Sequence, residues 1–293
     1  DVAGNEGKAT DPINFTLDAA APPPPAITEV YDDAGTVVGS LQKGQTTDDK
    51  TPKVSGTGTE GAIIHVYSNG TKVAETVVKD GKWSVELADL GADGEKKITA
   101  VAENAAGQRS PETGEYPIIL DTLAPSKPNF TAEDDVGLQQ GPINSGDTTD
   151  DRTPTFEGAG DAGDTIKLYD KGTLLGETTV QPDGTWSFTP TTPLAEGPHS
   201  ITVEATDPAG NTGTASDPLD FVVDTTAASL TIEGVRDNQD PVQGTIAKGG
   251  ITNDVTPTLF GLTQANQVVI IKDATGQQIA QTTANAQGEW SVE

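Results

Sequence analysis

Asp80-Gly-Lys-Trp-Ser84 is the stretch that decides the fold, because it returns as Asp183-Gly-Thr-Trp-Ser187 and as Gln287-Gly-Glu-Trp-Ser291. The three tryptophans of the chain all lie in these copies, and Trp83 and Trp186 are 103 residues apart. A second motif keeps the same period, as Thr47-Asp-Asp-Lys-Thr-Pro52, Thr149-Asp-Asp-Arg-Thr-Pro154 and Thr252-Asn-Asp-Val-Thr-Pro257. Two motifs at fixed offsets predict a tandem array of domain-sized repeats.

The boundaries of the repeats follow from three closing aspartates with the same spacing, Asp18, Asp121 and Asp224. They predict that residues 1–18 are the C-terminal strand of a preceding repeat. We name 19–121 repeat one, 122–224 repeat two and 225–293 repeat three, which is truncated just after its tryptophan motif. A segment cut from a longer array explains both ends. In an alternative interpretation residues 1–18 complete repeat three of another chain, but this leaves part of the period unfilled.

The composition favours short strands joined by tight turns. Only 33% of the 293 residues are hydrophobic and 4% are aromatic, whereas Gly contributes 33 residues and Pro 20. No stretch has a helical period of useful length, and no apolar run is long enough to insert into a membrane. Cysteine is absent, so stability must come from packing or from bound ions. The net charge of -28 argues against nucleic-acid binding and favours a soluble monomer.

The local patterns predict about seven antiparallel strands in each repeat. In repeat two, Thr165–Asp170 and Leu174–Val180 are expected to form a hairpin around Lys171-Gly172, and Asn69-Gly70 is a strong hairpin signal at the same place in repeat one. Trp186 shares its parity with the apolar residue at +2, so the tryptophan is expected in the core. We therefore predict an all-β chain of tandem immunoglobulin-like β-sandwich domains in a linear array.

The combination of motifs resembles a known family of repeats. The Thr-Asp-Asp-x-Thr-Pro segments, the Asp-Gly-x-Trp-Ser segments, Asp207-Pro-Ala-Gly-Asn211 and the closing Val-Asp-Thr-Thr are similar to the bacterial Ig-like repeats of giant adhesins exported by type I secretion. SiiE of Salmonella and the biofilm-associated proteins are examples of such adhesins. The resemblance covers the whole chain, and it implies calcium at or near the junctions between repeats.

The candidate catalytic and cofactor-binding motifs lack the structural context that their chemistry requires, and we expect that the chain is not an enzyme. Gly56–Gly61 and Gly158–Gly163 both match the G-x-G-x-x-G dinucleotide fingerprint, but a strand is predicted after each instead of the required helix. His65 and His199 lie on predicted strands of different repeats without a matched nucleophile. Paired carboxylates are spread evenly over the repeats, whereas an active site needs one unique cleft.

Aspartates in the predicted loops are candidate calcium ligands, because Ca²⁺ prefers carboxylate, carbonyl and water oxygens. An Ig-like strand order places one group at the end of each repeat that faces the next repeat: Asp32, Asp33, Asp48, Asp49 and Asp121 in repeat one, and Asp134, Asp135, Asp150, Asp151 and Asp224 in repeat two. The opposite end of repeat two carries Asp161, Asp164, Asp183 and Asp207. Repeat three has Gln264, Asn266 and Gln287 at the corresponding positions, so we expect fewer ions at the second junction.

These observations predict a calcium-rigidified stalk of a large bacterial surface or secreted adhesin, located outside the cell, that serves adhesion or biofilm formation. Its partners would be the neighbouring repeats, while other regions could bind host-cell or surface glycans. Prolines at 22–25, 125 and 128 favour stiff linkers. A receptor- or glycan-binding segment and an accessory module of an extracellular enzyme are the alternatives. A binding segment predicts a divergent, aromatic-rich loop; only repeat three diverges, and its loops gain no aromatic residues.

Overall fold

A computed structural model describes residues 2–17, 19–241 and 243–293 of the chain. It is all-β, and no helix occurs among these residues, so none could cross a membrane. The chain divides into two compact units, Asp1–Val223 and Asp224–Glu293. The first unit contains repeats one and two together, and the second contains repeat three.

Repeat one is a sandwich of two sheets. Its strands are β1 (Ala26–Asp32), β2 (Gly39–Leu41), β3 (Thr46–Thr47), β4 (Lys53–Thr57), β5 (Ile63–Ser68), β6 (Thr71–Val77), β7 (Lys82–Glu86), β8 (Gly94–Glu103) and β9 (Tyr116–Leu120). One sheet has the order β2-β1-β4-β7 and the other the order β3-β9-β8-β5-β6. Alternate residues of the strands point inward, so that Val54, Ile64 and Ile98 are fully buried between the sheets.

Repeat two has the same architecture. Its strands are β10 (Phe130–Asp134), β11 (Gly141–Ile143), β12 (Thr148–Thr149), β13 (Thr155–Ala159), β14 (Thr165–Asp170), β15 (Thr173–Thr179), β16 (Thr185–Phe188), β17 (Gly197–Thr206) and β18 (Leu219–Val223). The sheet orders are β11-β10-β13-β16 and β12-β18-β17-β14-β15. The immunoglobulin-like sandwich predicted from the sequence is therefore confirmed.

Two features of the strands differ from the prediction. Each of the first two repeats has nine strands instead of about seven, because β2, β3, β11 and β12 are too short to produce a visible alternation. The pairing is also not wholly antiparallel: β3 runs parallel to β9, and β12 runs parallel to β18. The chain passes from one sheet to the other between β2 and β3, which places β3 at the edge of the second sheet.

The hairpins and the tryptophans agree with the sequence analysis. Asn69 and Gly70 both have positive φ angles, of 49° and 78°, as a two-residue type I′ turn requires. Trp83 is 3% exposed, and it lies directly against Gly56. A Cβ at Gly56 would be 2.6 Å from a ring atom of Trp83 and 1.9 Å from the carbonyl oxygen of Ala26. The first glycine of the G-x-G-x-x-G segment thus makes room for the indole, and the strand β5 follows the segment.

The described residues of repeat three form six strands: β19 (Thr231–Asp237), β20 (Gly244–Ile246), β21 (Thr258–Leu262), β22 (Val268–Lys272), β23 (Gln278–Thr283) and β24 (Glu289–Val292). The sheet β20-β19-β21-β24 matches the first sheet of the other repeats, while β22 and β23 form a separate pair. Trp290 is buried with Val269 and Ala284.

The segment at the other end of the chain was predicted as the closing strand of a preceding repeat. Residues 2–17 form no strand in the structure. Asp1 and Asp18, which contribute to the repeat motifs, lie outside the described residues. Whether this segment belongs to a preceding repeat stays a prediction.

Candidate functional site

The Thr-Asp-Asp-x-Thr motif of repeat one forms a closed hydrogen-bond network. Thr47 donates its hydroxyl to Asp32 Oδ2 at 2.5 Å and accepts the amide of Asp49 at 3.1 Å. Asp32 Oδ1 accepts the amide of Ala34 at 3.0 Å. Asp49 accepts the amide of Thr51 on Oδ1 at 2.7 Å and the amide of Asp33 on Oδ2 at 3.2 Å. Both carboxylates are 2% exposed, and all four of their oxygens accept a hydrogen bond.

Repeat two contains the same network. Thr149 donates to Asp134 Oδ2 at 2.5 Å and accepts the amide of Asp151 at 3.0 Å. Asp151 accepts the amide of Thr153 at 2.7 Å, and its second oxygen lies 3.5 Å from the amide of Asp135. The side chain of Asp135 itself is exposed, like that of Asp33. In repeats one and two alike, these carboxylates hold the loop after the first strand (β1 or β10) against the loop that follows the third strand (β3 or β12).

Repeat three also has the network, which the sequence analysis missed. Thr252 donates to Asp237 Oδ2 at 2.7 Å, and Asp254 accepts the amide of Thr256 at 2.9 Å. Asp237 and Asp254 are both buried. The signal was present in the sequence: Asn253 replaces the first aspartate of the motif, whereas the network uses the second. The substitution therefore leaves the structural role of the motif intact.

The first aspartate of the motif has a different environment in repeat one. The carboxylate of Asp48 lies over Gly35, where a Cβ would be 2.0 Å from Oδ2. Asp48 Oδ1 is buried and has no hydrogen-bond partner among the residues that the structure describes. Burial raises the pKa of Asp48, and the carboxylates of Asp32 and of Asp207 in repeat two add to the effect. In repeat two, Asp150 lies over Gly137 in the same way, but it is exposed.

Aspartates of repeat two also lie at the junction between repeats one and two. Asp164 is 3% exposed, and burial raises its pKa to about 6, with further contributions from Asp161, Asp207 and Asp121. Asp121 belongs to repeat one, so the negative charges of the two repeats repel one another at this junction. Asp207 is held by the amides of Ala209 and Asn211, each 2.9 Å from Oδ1.

A cleft of about 650 Å³ lies at this junction, and Asp121, Asp161, Asp164 and Asp207 line it together with the linker. In the part of the chain that the structure describes, none of these four side chains, nor Asp48, forms an ion pair with a Lys, Arg or His. Within the same residues, no three acidic or histidine side chains already converge as ligands of a metal ion. The junction therefore combines unbalanced negative charge with side chains that would have to move to surround a cation.

Asp183 and Asp224, which were also predicted as ligands, have local hydrogen-bond partners. Asp183 is exposed, and its Oδ1 accepts the hydroxyl and the amide of Thr185, which lowers its pKa. Asp224 is exposed and accepts the amide of Thr226 at 2.9 Å. It begins the second compact unit, so its grouping with Asp134 and Asp150 stays a prediction.

The two histidines have separate local partners. His65 Nε2 lies 3.1 Å from Glu103, and His199 Nδ1 lies 2.8 Å from Asp170. His199 also stacks on Phe221, with ring centroids 5.7 Å apart. Both side chains are buried in their own repeats.

Two consecutive segments of the chain match a known protein family. Residues 24–122 and residues 123–225 each match the family model of the bacterial Ig-like domain. The chain belongs to the bacterial Ig-like domain family. These two bacterial Ig-like domains overlap the predicted repeats one and two. No curated protein sequence matches the chain.

Solved structures show more distant likeness to this bacterial Ig-like protein. The fibronectin(III)-like modules of Clostridium thermocellum CbhA are 16% identical, with 68% of this chain and 94% of that chain covered and a TM-score of 0.38. A tetra-tandem repeat from the extending region of a large adhesion protein is 22% identical over 87% of this chain and 67% of that one, with a TM-score of 0.29. The BSP domain of a biofilm-associated protein is 22% identical over 64% and 30%, with a TM-score of 0.25. Likeness at this level carries no argument about function.

Proposed function

We propose that the chain is a calcium-rigidified stalk segment of a large bacterial surface or secreted adhesin, which holds an adhesive region away from the cell in adhesion or biofilm formation. The observation that supports this function is the unbalanced charge between repeats one and two. Asp164 is almost fully buried there, and Asp121 of the other repeat is among the causes of its raised pKa. Like charges a few ångströms apart repel by about 1–4 kcal/mol per pair, which a bound cation would relieve.

The side chains at this junction suit Ca²⁺ chemically. Calcium takes about six to eight hard oxygen ligands from carboxylates, backbone carbonyls and water. Asp48 offers a buried carboxylate oxygen without a hydrogen-bond partner, and the cleft next to the linker is lined by Asp121, Asp161, Asp164 and Asp207. We assign the ion to these five residues and not to the Thr-Asp-Asp networks, because each network is enclosed within a single repeat, whereas Asp207, although it accepts hydrogen bonds itself, lines the cleft together with Asp121 of the other repeat.

The aspartates of the cleft differ in mobility. Asp164 is buried and would provide a fixed oxygen, whereas Asp161 is exposed and can turn toward an ion. Asp121 and Asp207 come from different repeats, so an ion shared between them would link the two domains. A bound ion would thus hold the two domains in one relative orientation, as a stalk requires.

The remaining features of the proposal come from the family resemblance. A giant adhesin of the SiiE or biofilm-associated type would be exported by type I secretion and would present this segment outside the cell. The high negative charge and the absence of cysteine suit an extended extracellular protein that folds without disulfides. Any host-cell receptor or glycan would then be bound by other regions of the adhesin.

Calorimetric titration of the metal-free chain with Ca²⁺, together with solution scattering in Ca²⁺ and in chelator, tests this function. We expect saturable heat, a higher melting temperature and a narrower distribution of inter-domain distances with Ca²⁺. Magnesium at the same concentration is the control, because it requires a tighter octahedral site. The proposal fails if Ca²⁺ produces no saturable heat and chelator changes neither the scattering curve nor the melting temperature.

A further inference from the structure

Repeat two touches repeat one directly through the loop Asp207–Asn211, at contacts that need no ion. Thr36 of repeat one donates its hydroxyl to the carbonyl oxygen of Gly210 at 2.9 Å. Asn211 donates its side-chain amide to the carbonyl oxygen of Asp121 at 2.9 Å. The same amide group donates to Asp207 Oδ2 at 2.8 Å, which fixes its orientation.

Gly210 is fitted closely to its neighbour. It is buried and has a φ of +99°, and a Cβ at this position would be 3.1 Å from both Thr36 Oγ1 and Val37 Cγ2. A side chain here would meet the preceding repeat as well as backbone strain. The linker is held by a second close approach, since a Cβ at Gly213 would be 2.4 Å from the carbonyl oxygen of Pro125.

We propose that the loop Asp207–Asn211 is a docking element that recognises the end of the preceding repeat without a metal ion, and that its partner is a repeat end with a hydroxyl side chain at the position of Thr36. In this assignment the docking contacts select the relative orientation of the two repeats without an ion, and calcium in the proposed function stabilises that same orientation by relieving the charge repulsion beside them. The two contributions can therefore fail independently.

The position of Thr36 makes the docking selective. In both repeats an aspartate-bearing first strand is followed by a left-handed glycine, Gly35 with φ +61° and Gly137 with φ +64°. The next residue is Thr36 in repeat one and Leu138 in repeat two. Leu138 is 86% exposed and has no hydroxyl to donate. The end of repeat two therefore cannot offer the same hydrogen bond to a loop of this kind.

The test uses spin labels on the full chain, which has no cysteine of its own. Thr71→Cys and Thr173→Cys place one label on an exposed strand of each repeat, and pulsed electron resonance gives the distance distribution. We expect Thr36→Val, Thr36→Leu and Gly210→Ala to broaden this distribution in chelator, with a docked-to-open ratio lowered about fivefold for the lost hydrogen bond in Thr36→Val. Thr36→Ser retains the hydroxyl and should leave the distribution narrow.

Matched controls separate docking from general strain. Gly107→Ala introduces a Cβ at a similar φ of +81°, but no heavy atom lies within 4 Å of it, so the junction should be unaffected. Leu138→Thr should also leave this distance unchanged. If Thr36→Val and Gly210→Ala leave the distribution as narrow as that of the parent chain, the docking element is refuted, whatever the response to calcium. If Ca²⁺ produces neither binding heat nor a higher melting temperature, but the distance distribution of the parent chain is narrow in chelator, only the proposed function is refuted.

Discussion

Thr149 and Asp134 are joined by a hydrogen bond of 2.5 Å, from the threonine hydroxyl to Oδ2 of the carboxylate. Both residues are buried, at 4% and 6% exposure. The same hydroxyl accepts the amide of Asp151 at 3.0 Å, so it serves as donor and acceptor at once. Equivalent bonds link Thr47 to Asp32 and Thr252 to Asp237. The aspartates of this network, which the sequence suggested as metal ligands, thus hold two loops together through hydrogen bonds.

Replacement of this threonine should destabilise repeat two. In Thr149→Val the side chain keeps its shape but leaves Asp134 Oδ2 and the amide of Asp151 without their partner, which costs about 1–3 kcal/mol for each buried group left unsatisfied. Urea unfolding of the full chain measures the loss in the free energy of unfolding, and hydrogen exchange shows whether the loss lies in repeat two. Thr148→Val is the control, since Thr148 is exposed on the same strand. Equal losses in both variants would contradict the role of the network.

The contact between glycine and tryptophan predicts a second effect on stability. In Gly158→Ala the new Cβ would be 2.6 Å from a ring atom of Trp186 and 2.8 Å from the carbonyl oxygen of Asn129. We expect a loss of about 1–3 kcal/mol from overpacking, with a change in tryptophan fluorescence. Gly114→Ala has an ordinary φ and no neighbour within 4 Å of the new atom, so it should be close to neutral. A stable Gly158→Ala protein with unaltered fluorescence would show that the indole has room to move.

Asp164 should make stability depend on pH in the absence of metal. Its pKa is raised from 3.8 to about 6 in the folded protein, so the folded state binds the proton more tightly than the unfolded state. This stabilisation is complete below pH 3.8, is lost as the pH rises toward about 6, and is absent above that. The difference amounts to about 3 kcal/mol at most.

Asp164→Asn isolates this effect, because the amide is neutral at every pH in the range. In chelator, we expect the variant to gain stability relative to the parent chain as the pH rises from 3.8 to about 6, and the gain to level off above. Melting temperatures of the two proteins across this range measure it. A constant difference between them at all pH values would mean that Asp164 does not titrate in this window.

The calcium proposal predicts which carboxylates matter for binding. Asp48→Asn and Asp164→Asn each remove one charge from the junction and should weaken Ca²⁺ binding measured by calorimetry. Asp183→Asn also removes one charge, but Asp183 is exposed and its carboxylate is engaged by Thr185, so binding should be nearly unchanged. Equal weakening in all three variants would indicate a diffuse charge effect instead of a site.

The arrangement of the junction was partly predictable. The strand order of an Ig-like domain places the loop after the first strand beside the closing aspartate, and the structure joins them through the amide of Asp121, which donates to the carbonyl oxygen of Thr47. It also brings Asp164 and Asp207 of repeat two toward Asp121. Asp183 was grouped with them because its loop is at the same end, but a short loop does not reveal where its side chain points. Here the hydroxyl and amide of Thr185 bind that carboxylate locally.

The sequence by itself determined the repeat, the all-β class and the inward direction of Trp83, Trp186 and Trp290, because these follow from spacing, turn chemistry and strand alternation. Only the tertiary structure decided between the paired aspartates of the Thr-Asp-Asp motif: Asp49 is enclosed by hydrogen bonds, while Asp48 keeps a buried oxygen without a partner. The two residues are adjacent and chemically identical. Their environments differ because the groups around them come from other parts of the chain: the amide of Asp33 donates to Asp49, whereas Asp48 lies over Gly35 and is repelled by the charge of Asp207 in the other repeat.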